Sequence, residues 1–140
     1  MAESIPVGPG HIIQYAYLWG YEDREGQVEG RKDRPCAVMI VLAGKRIVGV
    51  SPITHTPPKD GHGVQVPART CARLGLDDQA PSWIITTEMN QFVWPGPDIR
   101  KTSSGQHSYG LMPAALFKKV KEQLLANHAQ GLNVIFRTDE

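Results

Sequence analysis

Residues 11–19 alternate, with Ile13, Tyr15, Tyr17 and Trp19 on one side and Ile12, Gln14, Ala16 and Leu18 on the other. A period of two rich in β-branched and aromatic side chains predicts a strand. An apolar run at 36–43 and another at 46–50 are joined by Gly44-Lys45. Two such runs around a Gly-containing turn predict an antiparallel hairpin. The second run ends in the polar cluster Ser51, Pro52, Ile53, Thr54, His55 and Thr56. The hairpin therefore brings Arg34, just before the first run, close to Thr54 and His55. Cation, hydroxyl and imidazole at one end of a sheet suit an anion such as phosphate.

The remaining pattern is shorter. Residues 64–66 predict a short strand, and 67–74 a short helix with Pro at its first turn and Gly75 at its end. Residues 83–88 form another strand, continuing toward Trp94. The WPGPD stretch at 94–98 predicts a rigid corner, and the polar residues 101–108 a flexible segment. From Pro113, Leu116, Phe117, Val120 and Leu124 recur at helical spacing, opposite Lys118, Lys119, Lys121 and Glu122, until Gly131. Residues 132–136 then suit an edge strand. These elements predict an α+β, mainly β fold: a small, strongly curved antiparallel β-barrel with a C-terminal helix and one short helix.

Two stretches resist this pattern. Residues 20–33 hold five acidic, three basic and three glycine residues without apolar periodicity. They predict a long mobile connection, a candidate lid. Residues 57–63, PPKDGHG, form a second loop rich in turn formers. Residues 1–10, with two Pro and two Gly, predict a loose arm.

Composition narrows the field. A chain of 140 residues with 41% apolar and 21% charged side chains is expected to form one domain, residues 1–140, with a sizeable core. A net charge of +1 means that nucleic-acid affinity must come from a local patch. No stretch has the roughly 18 apolar residues of a membrane span, and the N-terminus lacks a secretory pattern. Cys36 and Cys71, without a CxxC spacing, read as reduced core thiols of a cytoplasmic protein. His55, Asp60 and His62 fit no zinc spacing, so neither a metal nor a cofactor is expected. Tyr15, Tyr17, Trp19, Trp83 and Trp94 suit base stacking or, more simply, the core.

The order of these pieces resembles the MazF/PemK family of toxin endoribonucleases. The matching residues are Gly10-His11-Ile12-Ile13, Gly30 through Val38 around Arg34-Pro35, Pro52-Ile53-Thr54, and Thr87-Glu88-Met89-Asn90, with the helix after Pro113. Order and spacing carry the resemblance, because RP and PxT are common by chance. It implies an SH3-like barrel, a homodimer, an antitoxin protein as partner, and metal-free cleavage of single-stranded RNA. It also implies Arg34, Thr54 and Glu88 as catalytic positions. Thr86 stands where some members carry a second arginine.

Metal-free RNA cleavage uses the substrate's 2′-hydroxyl as nucleophile. The site must remove its proton, stabilise the phosphorane and protonate the leaving oxygen. Arg34 suits the second task, since a guanidinium forks onto two phosphate oxygens. His55, His62 and Glu88 are the candidate proton carriers. Arg31, Lys32, Lys59 and His62 are the candidate RNA-binding residues. Simpler roles compete: Arg34 as an ion-pair former with Asp33 or Glu29, Thr54 as a turn residue, His55 as a solvated loop side chain. A non-catalytic barrel that binds a protein partner, as related gyrase-poisoning toxins do, is the alternative function. A housekeeping domain that has lost toxicity is the third.

Overall fold

The computed structural model describes residues 5–26 and 33–137. The elements are β1 (His11–Tyr15), α1 (Gly20–Arg24), β2 (Arg34–Leu42), β3 (Ile47–Thr54), β4 (Gly63–Val66), α2 (Ala68–Leu74), β5 (Ser82–Ile85), β6 (Glu88–Val93), β7 (Ile99–Arg100), β8 (Gly110–Leu111), α3 (Ala114–His128) and β9 (Asn133–Phe136). The fold is α+β and mainly β, and mostly antiparallel, as the alternation predicts. A 3-10 turn, Ala43–Lys45, closes the β2–β3 hairpin, with Arg46 left-handed at φ 55°.

The hydrogen-bonded path runs β4-β5-β3-β2-β1-β7, and the sheet is open. The strand β3 is shared. One edge pairs with β2 from Ile47 to Pro52; the other pairs first with β6, up to Val50↔Asn90, and then with β5, from Ile53↔Ile84. This change of partner curls the sheet around the polar end of β3. The strand expected over 83–94 is therefore two strands, broken at Thr86 and Thr87. Asn127 on α3 holds that break, donating from Nδ2 to the Thr86 carbonyl at 2.8 Å and to Gly61 O at 3.2 Å. The edge strand β9 pairs with β6 in parallel.

The strands are buried on both faces. Against α2 and α3, Ile12, Ala37, Met39, Ile53, Ile84 and Met89 pack with Leu74, Leu116, Val120 and Leu124. On the other side Ile13, Tyr15, Tyr17, Cys36, Val38, Val48, Val50, Phe92 and Trp94 form a second core. Alternation along β2 divides its residues between the two. Removing so many large apolar side chains from water contributes about 1.5–3 kcal/mol for each. Cys36 and Cys71 are buried free thiols.

Several loop expectations are corrected. Within residues 20–33, the first five form α1. Glu22, buried and in its first turn, reaches back to accept from the Trp19 amide at 3.0 Å, and Glu88 Oε1 accepts from the Gly20 amide at 2.9 Å. These caps satisfy donors that a single turn leaves open. In the expected loose arm, Val7 is buried in the second core and Gly10 donates to Val38 O at 2.8 Å. The polar segment 101–108 is a closed turn, tied by Thr102 N to Gln106 O and Gly105 N to Thr102 O. Gly75 ends α2 in the left-handed region, φ 72°, as its place in the sequence predicts.

Candidate functional site

The start of β2 and the end of β3 lie side by side, in register at Cys36↔Pro52. Beyond that pair, Arg34, Thr54 and His55 line one pocket of about 390 Å³, together with Asp33, Pro35, Ile53, Thr56, Leu76, Asp77 and Ser82. Three of the four catalytic candidates are thus brought together by the hairpin register.

Arg34 is held on two sides. Its guanidinium carbon lies 4.9 Å from the centroid of Trp19, and Nη1 donates to Ile53 O at 3.3 Å. Its Nε is buried without a hydrogen-bond partner among the described residues. An unmet buried donor costs roughly 1–3 kcal/mol, which a ligand acceptor would relieve. Thr54 Oγ1 accepts from the Thr56 amide at 3.1 Å, so the hydroxyl hydrogen is left to donate elsewhere. The short turn this closes explains a threonine at the strand end.

His55 is fixed from β5 and the loop before it. Nδ1 lies 3.0 Å from Pro81 O and 3.3 Å from Ser82 Oγ, and Nε2 lies 3.3 Å from Asp77 Oδ2. A carbonyl can only accept, so Nδ1 carries a hydrogen, and Nε2 donates to Asp77 only in the doubly protonated ring.

Glu88 sits apart from this pocket's lining. It opens β6, and Oε1 accepts from Tyr17 Oη at 3.1 Å and from the Gly20 amide. Burial pushes its carboxyl above the ordinary range, while the Gly20 and Tyr17 bonds and Arg24 pull the other way. A Cβ at Gly20 would meet Asn133 Nδ2 at 2.6 Å, so a larger residue there requires the Asn133 side chain to move. Glu88 still reaches the pocket indirectly. Tyr17 packs edge-on to Trp19, ring centroids 5.2 Å apart, and Trp19 carries Arg34.

Lys59 and His62 are exposed on residues 57–63, where the His62 amide donates to Lys59 O at 3.0 Å. Neither lines the pocket. Arg31 and Lys32 lie outside the described residues. Thr86, at the position compared with a second arginine, is fully buried and donates from Oγ1 to Gln123 on α3. Asp33 pairs instead with Arg100, Oδ2 to Nε at 3.5 Å. Among the described residues no three His, Cys, Asp or Glu side chains gather as a metal would require. No helix among them is long and apolar enough to cross a membrane.

Asp77 and Ser82 belong to no motif that marks them as partners of the site, and Trp19, a candidate for base stacking, supports Arg34 instead. A second polar centre was also missed. Arg137 Nη2 pairs with Asp98 Oδ2 at 2.9 Å, and its Nη1 donates to Ala16 O at 2.9 Å and Asn90 Oδ1 at 3.0 Å. Asn90 in turn bonds both ways with the Leu18 backbone. This buried cluster is what the WPGPD corner delivers: it brings Asp98 to Arg137.

No protein-family model and no curated protein matches the sequence. A solved structure is similar in fold: a chain of the MazE–MazF complex from Deinococcus radiodurans, TM-score 0.57 at 14% identity, covering 86% of this chain and 94% of that one.

Proposed function

We propose that the protein is a toxin-type endoribonuclease that cleaves single-stranded RNA through the 2′-hydroxyl, without a metal cofactor. The observation that carries this reading is the meeting of Arg34, Thr54 and His55 in one pocket, with a buried Arg34 donor left open. The MazF-like fold supports it. Arg34 holds the scissile phosphate and stabilises the phosphorane, and the Thr54 hydroxyl adds a neutral hydrogen bond. His55 Nε2 takes the proton of the 2′-hydroxyl as the phosphorane forms and returns it to the 5′-oxygen as that bond breaks. Glu88 acts as a positioning residue, holding Tyr17 and α1 so that Trp19 supports Arg34. Arg31, Lys32, Lys59 and His62 contribute phosphate contacts away from the reacting bond. The protein works in the cytoplasm as a homodimer, silenced by an antitoxin.

The test is cleavage of single-stranded RNA in EDTA. The expected products are a 5′-hydroxyl fragment and a 2′,3′-cyclic phosphate or its opened form. A 2′-deoxy substitution at the scissile nucleotide should abolish cleavage and leave binding nearly intact. Undiminished cutting of that substrate, or activity only with Mg²⁺, would sink the mechanism.

A partner-binding, non-catalytic reading has one observation of its own. The outer strand β9 exposes Val134 and Phe136. Apolar side chains on an exposed strand edge invite a protein surface. Sedimentation of the wild type and of Phe136→Ser separates the two uses: a dimer lost in the variant assigns this edge to self-association.

A further inference from the structure

Asp77 lies in the loop between α2 and β5, and its two carboxylate oxygens have different work. Oδ1 accepts from the Gln79 amide at 2.9 Å, an Asx turn that fixes the side chain. Oδ2 faces His55 Nε2 at 3.3 Å. The other ring nitrogen is already committed to Pro81 O, so the outward nitrogen of His55 is occupied by a carboxylate of the same chain. Asp33, the other acidic residue of the pocket, is paired with Arg100. Asp77 therefore stands against His55 in the pocket that also contains Arg34.

We infer that Asp77 is a specificity-determining residue: when the His55 ring carries both protons, Asp77 Oδ2 occupies, on Nε2–H, the place a ligand's phosphate oxygen must take. This rests on the reading of the pocket as a phosphate site. The side chains of His55 and Asp77 are 45% and 60% exposed, so their pair is weak and open to exchange. An anion that offers only one contact gains little by displacing an equivalent carboxylate. A phosphate gripped at the same time by Arg34 and Thr54 gains the forked, charge-assisted bonds that Asp77 does not make. The carboxylate thus screens out singly held anions and admits phosphates that fit the whole pocket.

The experiment measures binding of inorganic phosphate and of a single-stranded oligonucleotide, 2′-deoxy throughout and so uncleavable, at fixed ionic strength. Asp77→Asn keeps an oxygen for the Gln79 amide and removes the charge. It should bind both probes roughly two- to fivefold more tightly, the scale of releasing one exposed ion pair, beyond a smaller gain from relieved repulsion that does not need His55. The gain for inorganic phosphate should be the larger. In a His55→Ala background the same substitution should gain less than about twofold. Equal or weaker binding by Asp77→Asn overturns the inference, and so does a gain that persists in full without His55. Unchanged phosphate binding by Arg34→Ala rejects the phosphate-site reading itself. The Asp77–His55 contact is then still read separately, by whether the His55 imidazole NMR resonances move in Asp77→Asn.

Discussion

Arg34 lies against the face of Trp19, its guanidinium carbon 4.9 Å from the ring centroid, while Nη1 is bonded to the Ile53 carbonyl. The ring and the carbonyl together fix the plane of the guanidinium. Replacing Arg34 by Ala should lower the cleavage rate by about 10²–10³, the scale of one lost transition-state donor. Affinity for RNA should fall far less, because the charge is needed most when the phosphorane forms. Lys should rescue little, lacking the fork. Trp19→Leu should lower the rate more modestly, since a cation–π contact contributes about 0.5–2 kcal/mol. Single-turnover kinetics with saturating enzyme check all three.

Thr54 divides its hydroxyl between a turn and the pocket. Thr54→Ser keeps both uses and should remain close to wild type. Thr54→Val keeps the shape, loses the acceptor for the Thr56 amide, and should cost roughly 1 kcal/mol of stability together with a drop in cleavage. A valine variant with full activity in a melt-matched comparison would remove Thr54 from the chemistry.

Glu88 makes a pH-dependent contribution whose sign is fixed by its surroundings. Burial holds its carboxyl above the ordinary range, so the folded chain keeps that proton more tightly than the unfolded one. The stability it contributes is therefore full at acid pH and is lost as pH rises through the folded value. Glu88→Gln retains an oxygen for Tyr17 and Gly20 and cannot ionise. Urea unfolding of both proteins across the acidic range should show the variant gaining on the wild type as pH rises. A gap that closes instead would contradict this assignment.

The Arg137–Asp98 pair is buried on both sides. Removing one partner leaves the other a buried charge without its counter-ion, so Arg137→Ala or Asp98→Ala should cost about 3–5 kcal/mol. Joint replacement by Met and Leu should recover a large part of that loss. Denaturant midpoints of the single and double variants decide it.

The central hairpin was legible because two apolar runs flank Gly44-Lys45, and its register alone sets Arg34 beside Thr54 and His55. The helix α3 was legible from Leu116, Val120 and Leu124, which it buries as predicted. What could not be read depends on residues far apart in sequence. The helix α1 has no apolar period of its own and exists because Glu88 caps it from β6. The strands β7 and β8, two residues each, are recognisable only by their pairing with β1. Asp77 meets His55 only because β5 pairs with the end of β3. Most aromatic residues weighed for base stacking are core instead: Tyr15, Tyr17 and Trp94 are buried.

The hand-over of β3 from β6 to β5 has a consequence for how the pocket breathes. Thr54 is paired with Trp83 of β5, and His55 leans on Pro81 and Ser82 just before that strand. The pocket end of β3 is thus anchored to the β4–β5 pair rather than to the large sheet that continues through β2 and β1. Local opening of that pair, the smaller cooperative unit, would scatter His55 and Thr54 while leaving Arg34 in place on β2. Asn127, bonded to Thr86 and Gly61 at the far end of the β4–β5 pair, then works as a distant tether of Thr54 and His55. Its replacement by Ala should speed amide exchange at Thr54 and Trp83 well before it loosens Val38 or Ile13.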